Sequence, residues 1–291
     1  MNKIALGTAQ FGQVYGVANS GRLLDQAQVH AILDRAIGSQ IDFLDTAVAY
    51  GNSEQILGLI GVERFQVLSK LPPIPEVGVE DVPAWVDDQV TGSLQRLGLD
   101  RLYGLLLHRP AQLLSPIGAE LYRALQKQVV LGRVFNIGVS IYDPSELDAL
   151  IPRFRINIVQ APLNILDGRF NRSGWIERLQ ESGIALHVRS AFLQGLLLMP
   201  AGQRPQYFDR WSPLWGKWSS WLKDHELTPL QACLRYVLHA PGIERVVLGV
   251  DSEAQLSEIL AVASEGPVPD GYQALQTHDP KLLNPSLWKI K

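Results

Sequence analysis

The 291 residues are 46% hydrophobic and 19% charged, enough apolar material for one substantial core. A formal net charge of -3 gives no argument for nucleic-acid binding, and a single cysteine excludes an internal disulfide. No apolar run reaches the roughly 18 residues of a membrane-spanning helix, and the opening MNKIALGTAQFG lacks the apolar stretch of a signal peptide, so a cytoplasmic protein with no membrane partner is expected.

In chain order, strand-like runs fall at 3–7 (KIALG), 41–46 (IDFLDT), 65–70 (FQVLSK), 102–108 (LYGLLLH), 135–140 (FNIGVS), 156–162 (INIVQAP), 184–190 (IALHVRS) and 245–250 (RVVLGV). Amphipathic segments lie between them, among them 25–37, 82–98, 117–129, 144–151 and 175–183, with Gly98 and Gly183 as stop signals. Strands apolar along their whole length are buried on both faces, the mark of a parallel sheet under helices. About eight such units with no linker between them predict one (β/α)8 TIM barrel domain over 1–291. An open doubly wound sheet is the alternative, but LGTAQFGQVYG offers no GxGxxG turn after the first strand. The Trp-rich segment 199–222 reads either as a cover over a ligand, as an interface, or as an extra helix on the barrel wall. Cys233, inside the helical pattern TPLQACLRYVLHA, reads as a buried inert thiol.

Barrel enzymes place their chemistry at the C-terminal ends of strands. Those ends carry Asp45, Lys70, His108, Ser140, Gln160 and Ser190, with Tyr50 just past the second strand. Singly, each has a structural explanation: a turn aspartate, a snorkelling lysine, a satisfied histidine. Together, Asp45, Tyr50, Lys70 and His108 form a proton-transfer set. An ammonium beside a phenol lowers its pKa, a carboxylate holds the ammonium, and a neutral imidazole polarises a carbonyl oxygen. The six histidines show no ligand spacing with cysteine or carboxylates, so no metal is expected.

The motifs FLDTAVAYGNSEQILG, VLSKLPP, LLLHRP, IGVS, VQAPLN and SAFLQGLLL follow one another in an order that resembles the aldo-keto reductase family, over nearly the whole chain. The short form, opening ALGTAQFGQVYGVAN, is similar to bacterial members found in sugar and cell-envelope gene neighbourhoods. The resemblance implies an NAD(P)H-dependent oxidoreductase that reduces an aldehyde or ketone, a sugar-like carbonyl included, with Tyr50 as general acid. It implies an extended nicotinamide cofactor contacting Gly7, Thr8, Asp45, Ser140, Gln160, Arg189, Ser190, Leu193, Gln194, Gly195, Gly249, Asp251, Ser252, Gln255 and Glu258.

There are three departures from the family pattern. Ile141 follows Ser140 where Asn is common, Arg189 replaces an aromatic residue that would stack on nicotinamide, and Val250 and Asp251 stand where a cation would meet a 2′-phosphate. Family habit nevertheless tips the expectation to NADP(H) over NAD(H), with Arg189 or Lys217 as the cation. The small-molecule carbonyl substrate is expected between loops 8–24, 72–83, 109–117 and 199–222 and the C-terminal tail, with Gln13, Tyr15, Arg109, Arg169 and Trp175 joining Tyr50 and His108 as contacts. Two other functions fit parts of the pattern: a Schiff-base aldolase acting through Lys70, and a catalytically idle nucleotide-binding barrel serving as a regulatory subunit. The oligomeric state is left open by the sequence.

Overall fold

All eight strand-like runs form strands. In the computed structural model, which describes residues 3–19 and 21–290, these are β1 (Ile4–Gly7), β2 (Phe43–Asp45), β3 (Gln66–Leu71), β4 (Leu102–Leu107), β5 (Val134–Ser140), β6 (Ile158–Pro162), β7 (Ala185–Arg189) and β8 (Arg245–Gly249). Every neighbouring pair is parallel, and β1 pairs with β8 from Ile4↔Val246 to Gly7↔Gly249, closing the barrel. Closure leaves no sheet edge exposed.

Outer helices follow the strands: α1 (Gln26–Gly38), α2 (Ser53–Ile60), α3 (Val82–Leu97), α4 (Gly118–Val130), α5 (Glu146–Leu150), α6 (Trp175–Glu181), then α7 (Ser212–Asp224) and α8 (Pro229–His239) after β7, and α9 (Glu253–Val262). Their ends obey local rules. Asp25 and Thr228 cap α1 and α8 with full capping boxes, and Gly98 ends α3 in the left-handed region at φ 65°. No helix among the described residues is long and apolar enough to cross a membrane.

Two apolar layers result. Outward-facing strand residues meet the helices in the larger cluster, while Ala5, Phe43, Leu68, Leu106, Ile158 and Val247 fill the barrel interior. Gly138 makes room for that filling, because a Cβ there would lie 2.3 Å from Leu106 Cδ2. Segment 199–222 resolves mainly as the extra helix: α7 buries Trp215, Trp218 and Trp221 in the outer core. Cys233 is fully buried, and burial pushes its thiol pKa up, away from reactivity.

Candidate active site

The packed interior supports a layer of polar side chains at the C-terminal rim. Asp45 ends β2 and Lys70 lies near the end of β3, and both point inward from neighbouring strands. Lys70 Nζ donates to Asp45 Oδ2 at 2.6 Å, to the Thr46 carbonyl at 2.9 Å and to the Tyr50 hydroxyl at 3.3 Å. Asp45 Oδ1 accepts from Gln160 Nε2 at 2.6 Å, so both carboxylate oxygens are satisfied although the residue is only 3% exposed. Gln160 keeps its own Oε1 buried and without a protein partner among the described residues. A buried ion pair gains from such added hydrogen bonds, which offset part of its desolvation.

Tyr50 is delivered by a turn rather than a strand. Its carbonyl and the backbone of Ser53 press against Gly12, where a Cβ would come within 2.0 Å of Tyr50 O and 2.3 Å of Ser53 N. The turn is tied down from below, as Ser53 Oγ bonds the Thr8 carbonyl and hydroxyl at 2.9 Å each. The Tyr50 and His108 rings lie 5.8 Å apart, centroid to centroid.

Charge and burial then fix protonation. Burial first, and the Asp45 carboxylate second, raise the Tyr50 pKa, with Arg189 opposing. Burial lowers the Lys70 pKa against the pull of Asp45. Burial, Lys70 and Arg189 together push His108 down to about 3, so its imidazole is neutral at pH 7. Burial and the Asp45 carboxylate therefore act against the fall in the Tyr50 pKa that a neighbouring ammonium alone would give.

A cleft of about 530 Å³ opens beside this layer and runs from Tyr50 and Asp45 past β1 to β8 and α9. Eleven of the fifteen residues expected at the cofactor line it: Gly7, Thr8, Asp45, Arg189, Ser190, Gln194, Gly195, Gly249, Asp251, Gln255 and Glu258. Four do not. Ser140 and Gln160 are buried below, Leu193 packs in the core, and Ser252 Oγ caps α9 by accepting from the Gln255 backbone. The loop after β7 is unusual, with Ser190, Leu193, Gln194 and Gly195 all at positive φ (64°, 48°, 55° and 87°). Three non-glycine residues held in this region mark a backbone conformation imposed by its surroundings. Segment 16–19 crosses to meet the loop: Val17 N–H donates to the Gln194 carbonyl at 3.1 Å, and Asn19 Nδ2 donates to Asp251 Oδ1 at 3.3 Å.

Of the expected substrate contacts, Tyr15 lines the cleft and Gln194 Nε2 donates to its hydroxyl at 3.4 Å. His108 faces Tyr50 at the rim, whereas Arg109 is exposed beyond it and Gln13 sits beside the Gly51 turn. Trp175 is corrected: it starts α6, is 3% exposed, packs in the outer core and carries the Arg178 guanidinium on its ring. Lys217 is exposed on α7 and does not reach the cleft, so it cannot supply the expected cation. Sequence reading missed Gln10, Asn19, Phe192 and Leu230, which line the cleft only because three distant loops converge there.

Comparisons with known proteins show the family and the fold. The model of the Aldo/keto reductase family matches residues 3–278. The chain is 26% identical over 303 residues to the NADH-specific methylglyoxal reductase of Escherichia coli, covering 90% of this chain and 89% of that protein. It is 25% identical over 308 residues to the rat (Rattus norvegicus) aflatoxin B1 aldehyde reductase member 2, covering 88% and 81%. Among solved structures, an aldo-keto reductase of Bacillus halodurans superposes with a TM-score of 0.74 at 22% identity, covering 94% and 92% of the two chains. The glycerol dehydrogenase of Gluconobacter oxydans gives 0.72 at 22% identity, covering 94% and 90%.

Proposed function

The chain belongs to the aldo/keto reductase family, and from that premise we propose that it reduces the carbonyl of a small aldehyde or ketone with Tyr50 as general acid. The observation that carries the reading is the hydrogen-bonded array Gln160–Asp45–Lys70–Tyr50 opening onto the cleft. A bound nicotinamide cofactor supplies the hydride. Tyr50, kept protonated by burial, gives its proton to the carbonyl oxygen as the alcohol forms, and Lys70 stabilises the phenolate left behind until solvent reprotonates it. Neutral His108, its ring 5.8 Å from that of Tyr50, is placed to orient the carbonyl. A Schiff-base role for Lys70 gains no support, since its amine is fully buried and engaged with Asp45 below the cleft.

The residues present fit a dinucleotide. Gly7 and Gly249 lie on the β1–β8 side of the cleft, and the loop after β7, with Ser190, Leu193, Gln194 and Gly195 at positive φ, borders it. We assign NAD(H) in preference to the NADP(H) expected from family habit. Among the described residues lining the cleft, Arg189 is the only lysine or arginine, and its guanidinium turns toward Ile141 and Tyr142, away from β8. The α9 end carries Asp251 and Glu258, which repel a 2′-phosphate and suit a ribose hydroxyl. The NADH-specific bacterial relative supports the same choice. The chain is read as one barrel domain, acting in the cytoplasm.

Tyr50→Phe tests the reading. The variant should lose turnover of an aldehyde panel by about 10²–10⁴-fold, the usual range for a positioned acid, while calorimetry shows unchanged NADH binding. Turnover within twofold of the wild type would remove Tyr50 from the mechanism.

A further inference from the structure

Arg189 ends β7 and lines the cleft beside Tyr50 and Asp45. It is held from three sides: Nη2 donates to the Ile141 carbonyl at 3.0 Å, Nη1 donates to Ser190 Oγ at 3.3 Å, and its plane lies over the Tyr142 ring with the guanidinium carbon 4.5 Å from the centroid. These bonds engage two of five N–H donors. No carboxylate lies within ion-pair distance of it among the described residues.

A second part-buried arginine shows the contrast. Arg169 is clamped between Asp143 at 3.1 Å and Asp167 at 2.7 Å, and is thereby neutralised. Around Tyr50 the charges do not balance. Asp45 and Lys70 cancel at 2.6 Å, Tyr50 and His108 are neutral, and the Arg189 charge is left over. A fixed guanidinium with three of its N–H donors uncommitted can meet a carboxylate or phosphate, and a half-buried site raises what such a contact contributes.

We propose that Arg189 selects carbonyl substrates bearing an oxyanion, holding the carboxylate or phosphate on its free N–H groups while the carbonyl oxygen faces Tyr50. This rests on the reductase reading above and adds a substrate class to it. The dinucleotide's own phosphates are the less suitable occupant, because the guanidinium leans toward β5 and the remainder of the cleft runs toward β8.

The test compares kcat/KM, with NADH, for substrate pairs with and without an anionic group: 4-carboxybenzaldehyde against methyl 4-formylbenzoate, pyruvate against methyl pyruvate, and glyceraldehyde 3-phosphate against glyceraldehyde. In the wild type at least one anion should be preferred by about 10- to 100-fold, the value of a charge-assisted contact. The pair that shows it separates carboxylate from phosphate. Arg189→Met should abolish the preference, and Arg189→Lys should keep part of it. No anion preference in the wild type overturns the proposal, as does a preference that survives in Arg189→Met. A variant that binds NADH more weakly yet keeps the preference reassigns Arg189 to the dinucleotide. If no carbonyl is turned over at all, the reductase reading fails separately. Calorimetric titration of oxamate into wild type and Arg189→Met then decides the anion site, with equal affinities overturning it.

Discussion

At Tyr50 two influences compete: burial and the Asp45 carboxylate hold the proton on, while the Lys70 amine lies 3.3 Å from the hydroxyl, where the proposed transfer would leave a phenolate. The resting phenol is therefore an acid in waiting rather than a pre-ionised base, which suits the reductive direction. With Tyr50 above its ordinary value and His108 at about 3, neither group titrates near neutrality, and kcat/KM for an uncharged aldehyde should stay flat from about pH 5 to 9. A limb with an apparent pKa near 6.5 would show that His108 titrates normally. The same shift bears on stability. Unfolded His108 takes up a proton near pH 6.5 and folded His108 only near 3, so its contribution to stability falls as pH drops below about 6.5, by up to about 1.4 kcal/mol per pH unit. His108→Gln should flatten the acid side of a urea-midpoint profile, and a parallel profile would place the acid sensitivity elsewhere. The buried pair gives a further test. Lys70→Met strands Asp45 and should cost about 3–5 kcal/mol in urea unfolding, while the double variant with Asp45→Asn recovers part of that loss.

The loop after β7 is the element on which the cofactor reading depends most. Gly195 has φ 87°, and a Cβ there would lie 2.6 Å from the Ala18 Cβ. Gly195→Ala is thus strained in its backbone and in its contact with segment 16–19, and NADH affinity should fall by at least about tenfold, the effect of roughly 1.4 kcal/mol. Ala18→Gly in the same chain relieves the contact but not the backbone, so calorimetry should find affinity only partly restored. Full affinity in Gly195→Ala alone would separate this loop from the cofactor. Elements of this kind divide what the sequence discloses from what it does not. Strands were legible because parallel strands buried on both faces are continuous apolar runs, and Asp45, Lys70 and His108 were legible because those runs end on them. Trp175 misled because nothing local distinguishes a rim aromatic from one that turns into the outer core behind Gly174. Ser252 is ambiguous because a helix cap and a ligand contact use the same residue type. Asn19 and Leu230 were invisible because their places in the cleft depend on how segment 16–19 and the start of α8 fold over the barrel mouth.

For the whole molecule, the cleft's position matters as much as its lining. It lies across the seam where β1 and β8 close the barrel, and it is bordered by segment 16–19, the loop after β7, and the starts of α8 and α9. A dinucleotide seated there would join the first strand to the last two β/α units and would bind the folded chain alone, since no linear stretch of the unfolded chain collects these residues. Such linkage stabilises by about 2.7 kcal/mol at a ligand concentration 100 times its Kd. For a chain of this size that raises the melting temperature by several degrees. The charges at the α9 end make the shift a measure of cofactor choice. With Asp251 and Glu258 there and no lysine or arginine among the described lining residues at that end, NADH should raise the melting temperature more than NADPH at equal concentration. Asp251→Ser should narrow the difference by removing repulsion from the 2′-phosphate. A larger shift with NADPH in the wild type would mean that a cation reaches the 2′ position, and would return the assignment to NADP(H).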